Sequence, residues 1–267
     1  MSRTVVITGS TQGTGYCVAE TFAKDGWNVA ITSRDLKKAQ NAADELQKNV
    51  GDNVKIFGYQ LEVLNEPQAV SMFADLKEKG CPVSSIVLVA ANMGINMPSI
   101  FDVDYNDWIR VIDTNVGWNF MLVRNAAKYM VEAGGGSVVF VGSATAIRFS
   151  KNRTAYCTSK AGVHGLAKNL AVELGEYNIR VNTVVPGPIK TARWMANPEI
   201  RNSPQMKNPL GDIASFTDIA NAALFLADSE KSRIITGAEL NVDGGSLAQF
   251  CYEEEGIKLK SGNVISD

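Results

Sequence analysis

The sequence has few of the features that identify several large classes of protein. Its 267 residues include one histidine, His164, so a histidine-based metal site or a Ser–His–Asp hydrolase would depend on a single residue. That residue falls in an apolar helical pattern and is expected to be packed or partly exposed. Asp and Glu number 28 against 26 Lys and Arg, without the basic excess of nucleic-acid-binding proteins. No apolar run reaches the roughly 18 residues of a membrane span. We therefore expect no metal, nucleic-acid or membrane partner.

The four cysteines do not form a redox or zinc motif. No C-x-x-C pair occurs among them, so we expect reduced packing residues at Cys17, Cys81, Cys157 and Cys251. The chain enters a short apolar segment directly after its first residues and lacks the longer apolar region of a signal peptide. This pattern predicts a cytoplasmic protein.

Apolar runs rich in β-branched residues alternate with amphipathic stretches along the chain. Seven runs predict strands, at 4–8, 28–32, 54–60, 85–90, 136–141, 180–185 and 238–242. The stretches between them predict helices, at 13–25, 35–49, 65–79, 105–132, 155–177 and 215–227. This alternation is typical of a single-domain, Rossmann-like α/β fold, a doubly wound parallel sheet with helices on both faces.

Two segments interrupt the alternation. Residues 187–214 are rich in proline and too long for an ordinary connection, so they predict a lid over a functional site. Residues 247–267 are polar and follow the last strand. They predict a C-terminal tail, either frayed or packed on a neighbouring subunit. The single domain is therefore expected to span residues 1–246 and to include the lid.

A glycine-rich turn follows the first predicted strand. Glycines between a strand and a helix allow a tight turn, and the helix N-terminus then presents backbone N–H groups to a pyrophosphate. The alternative is a plain strand-to-helix turn. Because the turn lies in the first βαβ unit, we favour dinucleotide binding by Gly9, Ser10, Thr11, Gln12, Gly13, Thr14 and Gly15.

The end of the second predicted strand indicates which dinucleotide binds. Enzymes selective for NAD usually place an acid there, whereas this chain has Ser33 and Arg34. A hydroxyl and a guanidinium suit a 2′-phosphate, so we favour NADP(H) over NAD(H). In the alternative, Arg34 is a solvated residue that pairs with Asp35.

Three further side chains indicate proton-transfer chemistry. Tyr156 and Lys160 lie four residues apart on a predicted helix and therefore share a face. A nearby cation favours phenolate, so Lys160 is expected to lower the pKa of Tyr156 and make it a general acid/base. Ser143 ends a predicted strand at the carboxyl edge of the sheet, where its hydroxyl can hold a substrate oxygen.

Together these motifs resemble the short-chain dehydrogenase/reductase family, of the type with about 250 residues. The matching segments cover residues 4–246 in the family's order, and they are TGSTQGTG, VIDTNVG around Asn115, Ser143, YCTSK, NTVVPGPIKT and ITGAELNVDGG. The resemblance implies that Tyr156 exchanges the proton, Lys160 binds the nicotinamide ribose, Ser143 orients the carbonyl and Asn115 holds a relay water. It also implies further cofactor contacts from Glu62, Val63, Asn92, Pro186, Gly187, Ile189 and Thr191.

The sequence departs from the family pattern in places. The family's NNAG after the fourth strand is AANMG here, with Asn92 as the nearest equivalent, and Glu62 stands where an aspartate is usual. Gln12 occupies a position that is Arg or Lys in many NADP-dependent members, although Arg34 is the more direct contact.

The substrate is the least determined feature. We expect a small-molecule carbonyl or alcohol that is bulky and hydrophobic, either a hydroxysteroid or bile acid or a 3-oxoacyl thioester. The candidate lining residues, each of which could instead be core, are Met93, Ile95, Met97, Ala144, Thr145, Ile147, Phe149, Trp194 and Met195. Apolar residues on several faces of helices 105–132 and 155–177 suggest burial between subunits. With the resemblance, this predicts a homodimer or homotetramer.

Other functions stay open at this point. The chain could be a non-catalytic NADP-sensing protein or a structural oligomer with a vestigial site, although it keeps both Tyr156 and Lys160. It could also be an enoyl reductase, although relatives of that type space the tyrosine and lysine more widely.

Overall fold

The computed structural model describes residues 3–94, 98–198 and 207–249. Its strands are β1 (Thr4–Ile7), β2 (Asn28–Ser33), β3 (Ile56–Gln60), β4 (Ser85–Leu88), β5 (Gly136–Val141), β6 (Ile179–Pro186) and β7 (Glu239–Val242). Its α-helices are α1 (Gly13–Lys24), α2 (Leu36–Val50), α3 (Glu66–Glu78), α4 (Tyr105–Ile112), α5 (Trp118–Glu132), α6 (Thr154–Leu174), α7 (Ala192–Ala196) and α8 (Phe216–Ala227).

The seven strands form one parallel sheet in the order β3-β2-β1-β4-β5-β6-β7. The chain therefore winds from β1 outward to β3, returns to β4 beside β1, and continues outward to β7. This topology confirms the prediction of a doubly wound, Rossmann-like fold. Its switch point lies between β1 and β4, where ligands of such sheets bind outside the carboxyl ends of the strands.

The core lies on both faces of the sheet because each strand alternates its side chains between them. In β1, Val6 faces a layer built from α3, α5 and α6, whereas Val5 and Ile7 face α1, α2 and α8. Phe140 on β5 and Phe22 on α1 are fully buried, one on each face. Burial of such side chains stabilises the fold by about 1.5–3 kcal/mol each relative to exposure.

The predicted helix 105–132 is divided by a π-helical turn at Asp113–Gly117. There the Asn119 amide donates to the Asn115 carbonyl oxygen over 2.8 Å. Such turns often occur at functional sites, and this one brings Asn115 into the interior, where it is 1% exposed. Hydrophobic periodicity did not predict the turn because the flanking helices keep one buried face.

The described part of the segment predicted as a lid includes a short helix, α7, which the sequence did not predict. Its first turn is capped by the Thr191 hydroxyl, which accepts from the Trp194 backbone N–H over 3.2 Å. A bridge pairs Ile189 with Ala214 and ties the start of the segment to its end. Residues 199–206 of the predicted lid lie outside the described residues, as do 250–267 of the predicted tail.

The helices α5 and α6 were expected to bury apolar surface between subunits. Much of that surface is instead buried within the core of the chain. Trp118, Leu122, Val163 and Leu170 are each at most 6% exposed and belong to the core, which corrects the reading of those residues. Phe120 and Val172 are exposed. Within the described ranges, no helix combines the length and apolar character needed to cross a membrane.

The cysteines in the described ranges are free thiols. Cys81 and Cys157 are buried and Cys17 is partly buried, whereas Cys251 falls outside those ranges.

Candidate active site

The residues predicted to form the site follow the carboxyl ends of successive strands. Gly9–Gly15 follow β1, Ser33 ends β2, Glu62 and Val63 follow β3, Asn92 follows β4, Ser143 follows β5, and Pro186–Thr191 lead out of β6. Because the sheet is parallel, these positions share one edge. Tyr156 and Lys160 reach the same edge from the first turns of α6.

The glycine turn has the backbone geometry expected for close approach to a phosphate. Gly9 and Gly13 have φ angles of +63° and +56°, which favour glycine. A Cβ on Gly15 would lie 2.4 Å from the Gly9 carbonyl oxygen, so no larger residue fits. No side chain caps α1 at Gln12, and the first N–H groups of the helix are therefore available to an anion. These features fit the pyrophosphate of a dinucleotide.

Ser10 contributes to this turn differently from its neighbours. Its fully buried hydroxyl donates to the Ile7 carbonyl oxygen over 2.7 Å and accepts from the Thr32 N–H over 2.9 Å. The side chain therefore joins β1 to β2.

Arg34 lies exposed at the end of β2, directly before α2. The Asp35 carboxylate accepts from the Lys38 N–H over 3.1 Å and caps α2. The Ser33 hydroxyl accepts from the Asp35 N–H over 3.2 Å. Asp35 is thus used in capping, and the alternative in which it pairs with Arg34 has no support among the described contacts.

The unusual AANMG segment is held by Asn115. The Asn115 side chain accepts from the Asn92 N–H over 2.7 Å and donates to the Asn92 carbonyl oxygen over 2.8 Å. It also donates to the Ser159 hydroxyl over 2.9 Å. Asn115 therefore fixes the Asn92 backbone against α6. The relay water implied by the family resemblance stays a prediction, since three protein contacts already engage this amide.

Ala90, in the same segment, packs against the glycine turn. A Cβ on Gly9 would lie 3.1 Å from the Ala90 Cβ, and the Thr8 hydroxyl accepts from the Ala90 N–H over 3.0 Å. These contacts join the ends of β1 and β4 at the switch point. The sequence analysis did not single out Thr8 because its position alone suggests only a strand end.

The Ser143 hydroxyl is oriented by Thr145. Its oxygen accepts from the Thr145 hydroxyl over 2.8 Å and from the Thr145 N–H over 3.2 Å. Ser143 also lies close enough to the Tyr156 phenol to lower its pKa. Thr145, predicted as a substrate-pocket residue, thus orients Ser143.

Lys160 is a buried cation. It is 4% exposed, and its Nζ donates to the Val141 carbonyl oxygen over 2.8 Å. Its Nζ lies 5.8 Å from the centre of the Tyr156 ring. Burial lowers the pKa of Lys160 to about 8. A buried ammonium group is costly to maintain and often marks a functional site.

The prediction that the pKa of Tyr156 is lowered was wrong. Burial is the largest influence and raises the pKa of Tyr156 above its ordinary value, while Ser143 and Arg153 act in the opposite direction. The Lys160 Nζ donates to the Val141 carbonyl oxygen and lies 5.8 Å from the centre of the ring, and the effect of burial on the phenol is the larger one. At neutral pH, the Tyr156 phenol is therefore protonated.

Arg153 was missed by sequence reasoning. Its guanidinium lies 5.6 Å from the centre of the Tyr156 ring, and its charge lowers the pKa of that phenol. The only signal in the sequence is an arginine three residues before the tyrosine, at the helix start. The two side chains meet because Arg153 is the N-cap residue of α6 and Tyr156 lies three residues further on, in the first turn of that helix.

His164 is buried and bonded through both ring nitrogens. Its Nε2 accepts from the Ser143 N–H over 3.4 Å, and its Nδ1 lies 3.3 Å from a Glu239 carboxylate oxygen. Packing was expected for this residue, but contact with the backbone of Ser143 was not.

A cavity of about 180 Å³ opens beside Tyr156. The loop after β4, α4 and the start of α6 enclose it, and its lining includes Met93, Trp108, Val111 and Arg153. Met93 thus lines the same cavity as Tyr156, whereas Ile95 and Met97 lie outside the described residues. Ile147, Phe149 and Met195 are exposed, and Ala144 and Trp194 are partly exposed, on segments that follow β5 and β6.

Comparison with known proteins identifies the family. Residues 9–246 match the family model described as Enoyl-(Acyl carrier protein) reductase. The chain is 32% identical to the 3-oxoacyl-[acyl-carrier-protein] reductase FabG of Chlamydia trachomatis, over 92% of this chain and 97% of that protein. This chain belongs to the short-chain dehydrogenase/reductase family. It is therefore an oxidoreductase by family, of the kind that acts on CH–OH groups of small molecules.

Two solved structures of this family resemble the chain. A 7α-hydroxysteroid dehydrogenase complexed with NADH and 7-oxo glycochenodeoxycholic acid superposes with a TM-score of 0.83, at 32% identity over 91% of this chain and 93% of that one. ElxO with NADP bound superposes with a TM-score of 0.84, at 29% identity over 93% and 100% of the two chains. Both neighbours hold a nicotinamide cofactor, and the glycine turn of this chain fits such a group.

Proposed function

We propose that the chain interconverts a ketone and a secondary alcohol with NADP(H), using Tyr156 as the general acid/base. The observation that carries the proposal is the neutral Tyr156 phenol, which lies close to Ser143 and one helical turn from the buried ammonium group of Lys160. General acids of this kind are held where a proton can reach the reacting oxygen.

The residues divide the reduction of a ketone between them. The nicotinamide, when bound, would supply hydride to the carbonyl carbon. Tyr156 gives its proton to the carbonyl oxygen, and Ser143 donates a hydrogen bond to the same oxygen as negative charge develops there. The Lys160 ammonium then stabilises the phenolate that remains. Oxidation of the alcohol follows the reverse path.

The proposed cofactor site extends along the sheet edge from the switch point. The turn Gly9–Gly15 would hold the pyrophosphate, Glu62 and Val63 would adjoin the adenine, and Asn92 would contact the ribose side. Pro186, Gly187, Ile189 and Thr191 would line the nicotinamide pocket. We also propose that the segment 187–214 acts as the substrate lid, since it leaves the same edge.

The preference for NADP(H) rests on Ser33 and Arg34. Arg34 is exposed at the end of β2, and Asp35, the nearest acid, is engaged as the cap of α2. A guanidinium without an adjacent free carboxylate suits a 2′-phosphate.

Arg34→Ala is expected to weaken NADPH binding by about 10- to 100-fold and to leave NADH binding nearly unchanged, since one charge-assisted phosphate contact contributes about 1.5–3 kcal/mol. Dissociation constants for both cofactors, measured by fluorescence titration, check this result. Lys48→Ala, at the far end of α2, is the control. An Arg34→Ala variant that still prefers NADPH as strongly as wild type would show that the 2′-phosphate binds elsewhere.

A hydrophobic substrate is supported by exposed apolar side chains on segments that leave the carboxyl edge. They follow β4 (Met93, Ile100, Phe101), β5 (Ile147, Phe149) and β6 (Met195, Leu210). Exposed apolar residues at one end of a sheet favour a bulky apolar ligand. Hydroxysteroids or bile acids and 3-oxoacyl thioesters both meet this description, and a relative of each kind is similar to this chain.

A panel of ketones, 3-oxoacyl thioesters and enoyl thioesters, tested with both cofactors, checks the proposed reaction. We expect NADPH oxidation with ketones and little with C=C substrates, because Tyr156 and Lys160 are separated by three residues. Reduction of the enoyl thioester alone would favour the alternative reaction. NADPH binding without turnover on any substrate would favour a non-catalytic sensing or structural protein.

Ketone reduction is expected to slow as the pH rises through about 8. Burial lowers the pKa of Lys160 to about 8 and raises that of Tyr156. Reduction needs both the Tyr156 proton and the Lys160 ammonium, and this pair is intact below pH 8 and lost as the pH rises through it. The singly protonated pair that remains consists of the Tyr156 phenol and a neutral Lys160 amine, because the pKa of Lys160 is lowered and that of Tyr156 is raised. Oxidation needs the phenolate and therefore increases only at more alkaline pH, as Tyr156 ionises.

Initial rates in both directions with saturating cofactor, from neutral to strongly alkaline pH, check this prediction. Parallel pH profiles for reduction and oxidation would contradict it.

Two further proposals come from the sequence and the family resemblance. The protein would be cytoplasmic, and it would assemble as a homodimer or homotetramer. Light scattering after size-exclusion chromatography measures the assembly directly, and a monomer would contradict it.

A further inference from the structure

His164 contacts the catalytic strand end through a single acceptor atom. The Ser143 N–H donates to Nε2, so that nitrogen carries no proton. The proton of the neutral ring is then on Nδ1, which faces Glu239 at 3.3 Å. The other carboxylate oxygen of Glu239 lies 2.6 Å from the Lys168 Nζ. A chain of polar contacts therefore runs from Lys168 through Glu239 and His164 to the backbone of Ser143.

The ring is packed tightly against the strand that carries Ser143. A Cβ on Gly142 would lie 2.3 Å from the His164 Nε2 and 2.8 Å from the Thr183 Cγ2. Glycine at position 142 is therefore what allows the imidazole to reach the end of β5. His164 is 6% exposed, so water does not readily replace it as an acceptor.

We propose that His164 is a positioning residue for the reaction proposed above. While neutral, it holds the Ser143 backbone and thereby aims the Ser143 hydroxyl at Tyr156. On protonation, Nε2 becomes a donor and releases the Ser143 N–H, so His164 sets the acidic limit of activity. The inference rests on the proposed function only for its effect on catalysis, because the tautomer and its partners are properties of the folded chain.

The charged groups around the ring determine where that limit lies. Glu239 on β7 favours the protonated ring, whereas burial and the charges of Lys160 and Lys168 on α6 disfavour it. The strands β5 and β6 present Gly142 and Thr183, which do not titrate. Burial is the largest influence and lowers the pKa of His164. The neutral ring is therefore present at neutral pH and lost only as the pH falls through this lowered value.

The NMR signals of the His164 ring can be assigned without ambiguity because the chain has one histidine. A ¹⁵N NMR titration of the full-length protein is expected to show the Nδ1–H tautomer and a pKa below the ordinary value of about 6.5. Glu239→Gln, which removes the carboxylate charge, is expected to lower that pKa further. Glu132→Gln, in an exposed ion pair with Lys77, is the matched control and leaves it unchanged. An Nε2–H tautomer would overturn the proposal.

Activity measurements separate positioning from simple packing. His164→Leu removes the acceptor and is expected to lower kcat about tenfold with the cofactor KM unchanged. His164→Gln restores an acceptor that does not titrate, and it is expected to keep kcat within about threefold of wild type while losing the acid limb of kcat/KM. If the leucine variant does not fold, the glutamine variant and the wild-type titration decide.

An unchanged acid limb in His164→Gln would overturn the role in catalysis. Failure of the proposed ketone chemistry itself would appear as an inactive wild type, with the NMR result unaffected.

Discussion

Tyr156→Phe is expected to lower kcat for ketone reduction by about a thousandfold, within the range that general acid catalysis contributes. The change deletes only the hydroxyl, which lies close to Ser143. The ring keeps its neighbours, with Arg153 at 5.6 Å and Lys160 at 5.8 Å from its centre. NADPH binding should therefore stay within about threefold of wild type, because the variant loses a proton donor and not a cavity wall. Steady-state NADPH oxidation and fluorescence titration measure the two quantities.

Tyr177→Phe is the matched control for this substitution. Tyr177 follows the opposite end of α6, about 30 Å along the helix at 1.5 Å per residue, and is exposed. Its loss should not change kcat. A Tyr156→Phe variant with wild-type kcat would exclude Tyr156 as the proton donor.

Lys160→Met is expected to lower kcat about a hundredfold while the protein stays folded. The ammonium is proposed to stabilise a Tyr156 phenolate together with Arg153, and its loss removes its share of that stabilisation from the transition state. Methionine fills a similar buried volume without a charge, and one hydrogen bond to Val141 is lost. The free energy of unfolding should therefore stay within about 2 kcal/mol of wild type. Steady-state kinetics and urea denaturation measure the two effects.

The pH profile distinguishes the proposed role of Lys160 from a structural one. In Lys160→Met, the fall in ketone reduction near pH 8 should disappear, because the ammonium group whose pKa burial lowers to about 8 is gone. Lys24→Met, in an exposed ion pair with Glu20, is the control and should keep both kcat and the profile. A folded Lys160→Met variant with wild-type kcat and the same profile would show that the buried lysine serves only the fold.

The fold was predictable because its signal repeats along the chain. Each buried strand is a short apolar run and each flanking helix an amphipathic stretch, so the β5 prediction agrees with the observed Gly136–Val141. The strand β4 ends two residues before its predicted end. The backbone N–H groups of Val89 and Ala90 donate to the Thr8 hydroxyl and not to a neighbouring strand. The π-helical turn was not predictable because it depends on side-chain contacts of Asn115 and Asn119.

The sequence predicted those features of the candidate site that depend only on where a residue lies within a helix or strand. Tyr156 and Lys160 share a helix face because they are four residues apart, and Ser143 ends a strand. The pKa of Tyr156 was predicted in the wrong direction, because burial depends on every element packed around the ring. The contacts of Arg153, Thr145 and His164 were missed for the same reason.

By itself, the sequence determined the order of strands and helices, the glycine turn and the identity of the groups available for proton transfer. These are local properties, set by periodicity and by the chemistry of single side chains. The tertiary structure decided which of those groups meet and in what electrical environment. It buried Lys160, left Tyr156 a neutral acid and brought the only histidine against the backbone of Ser143, 21 residues away in the chain. Such contacts join separate elements, and no local pattern encodes them.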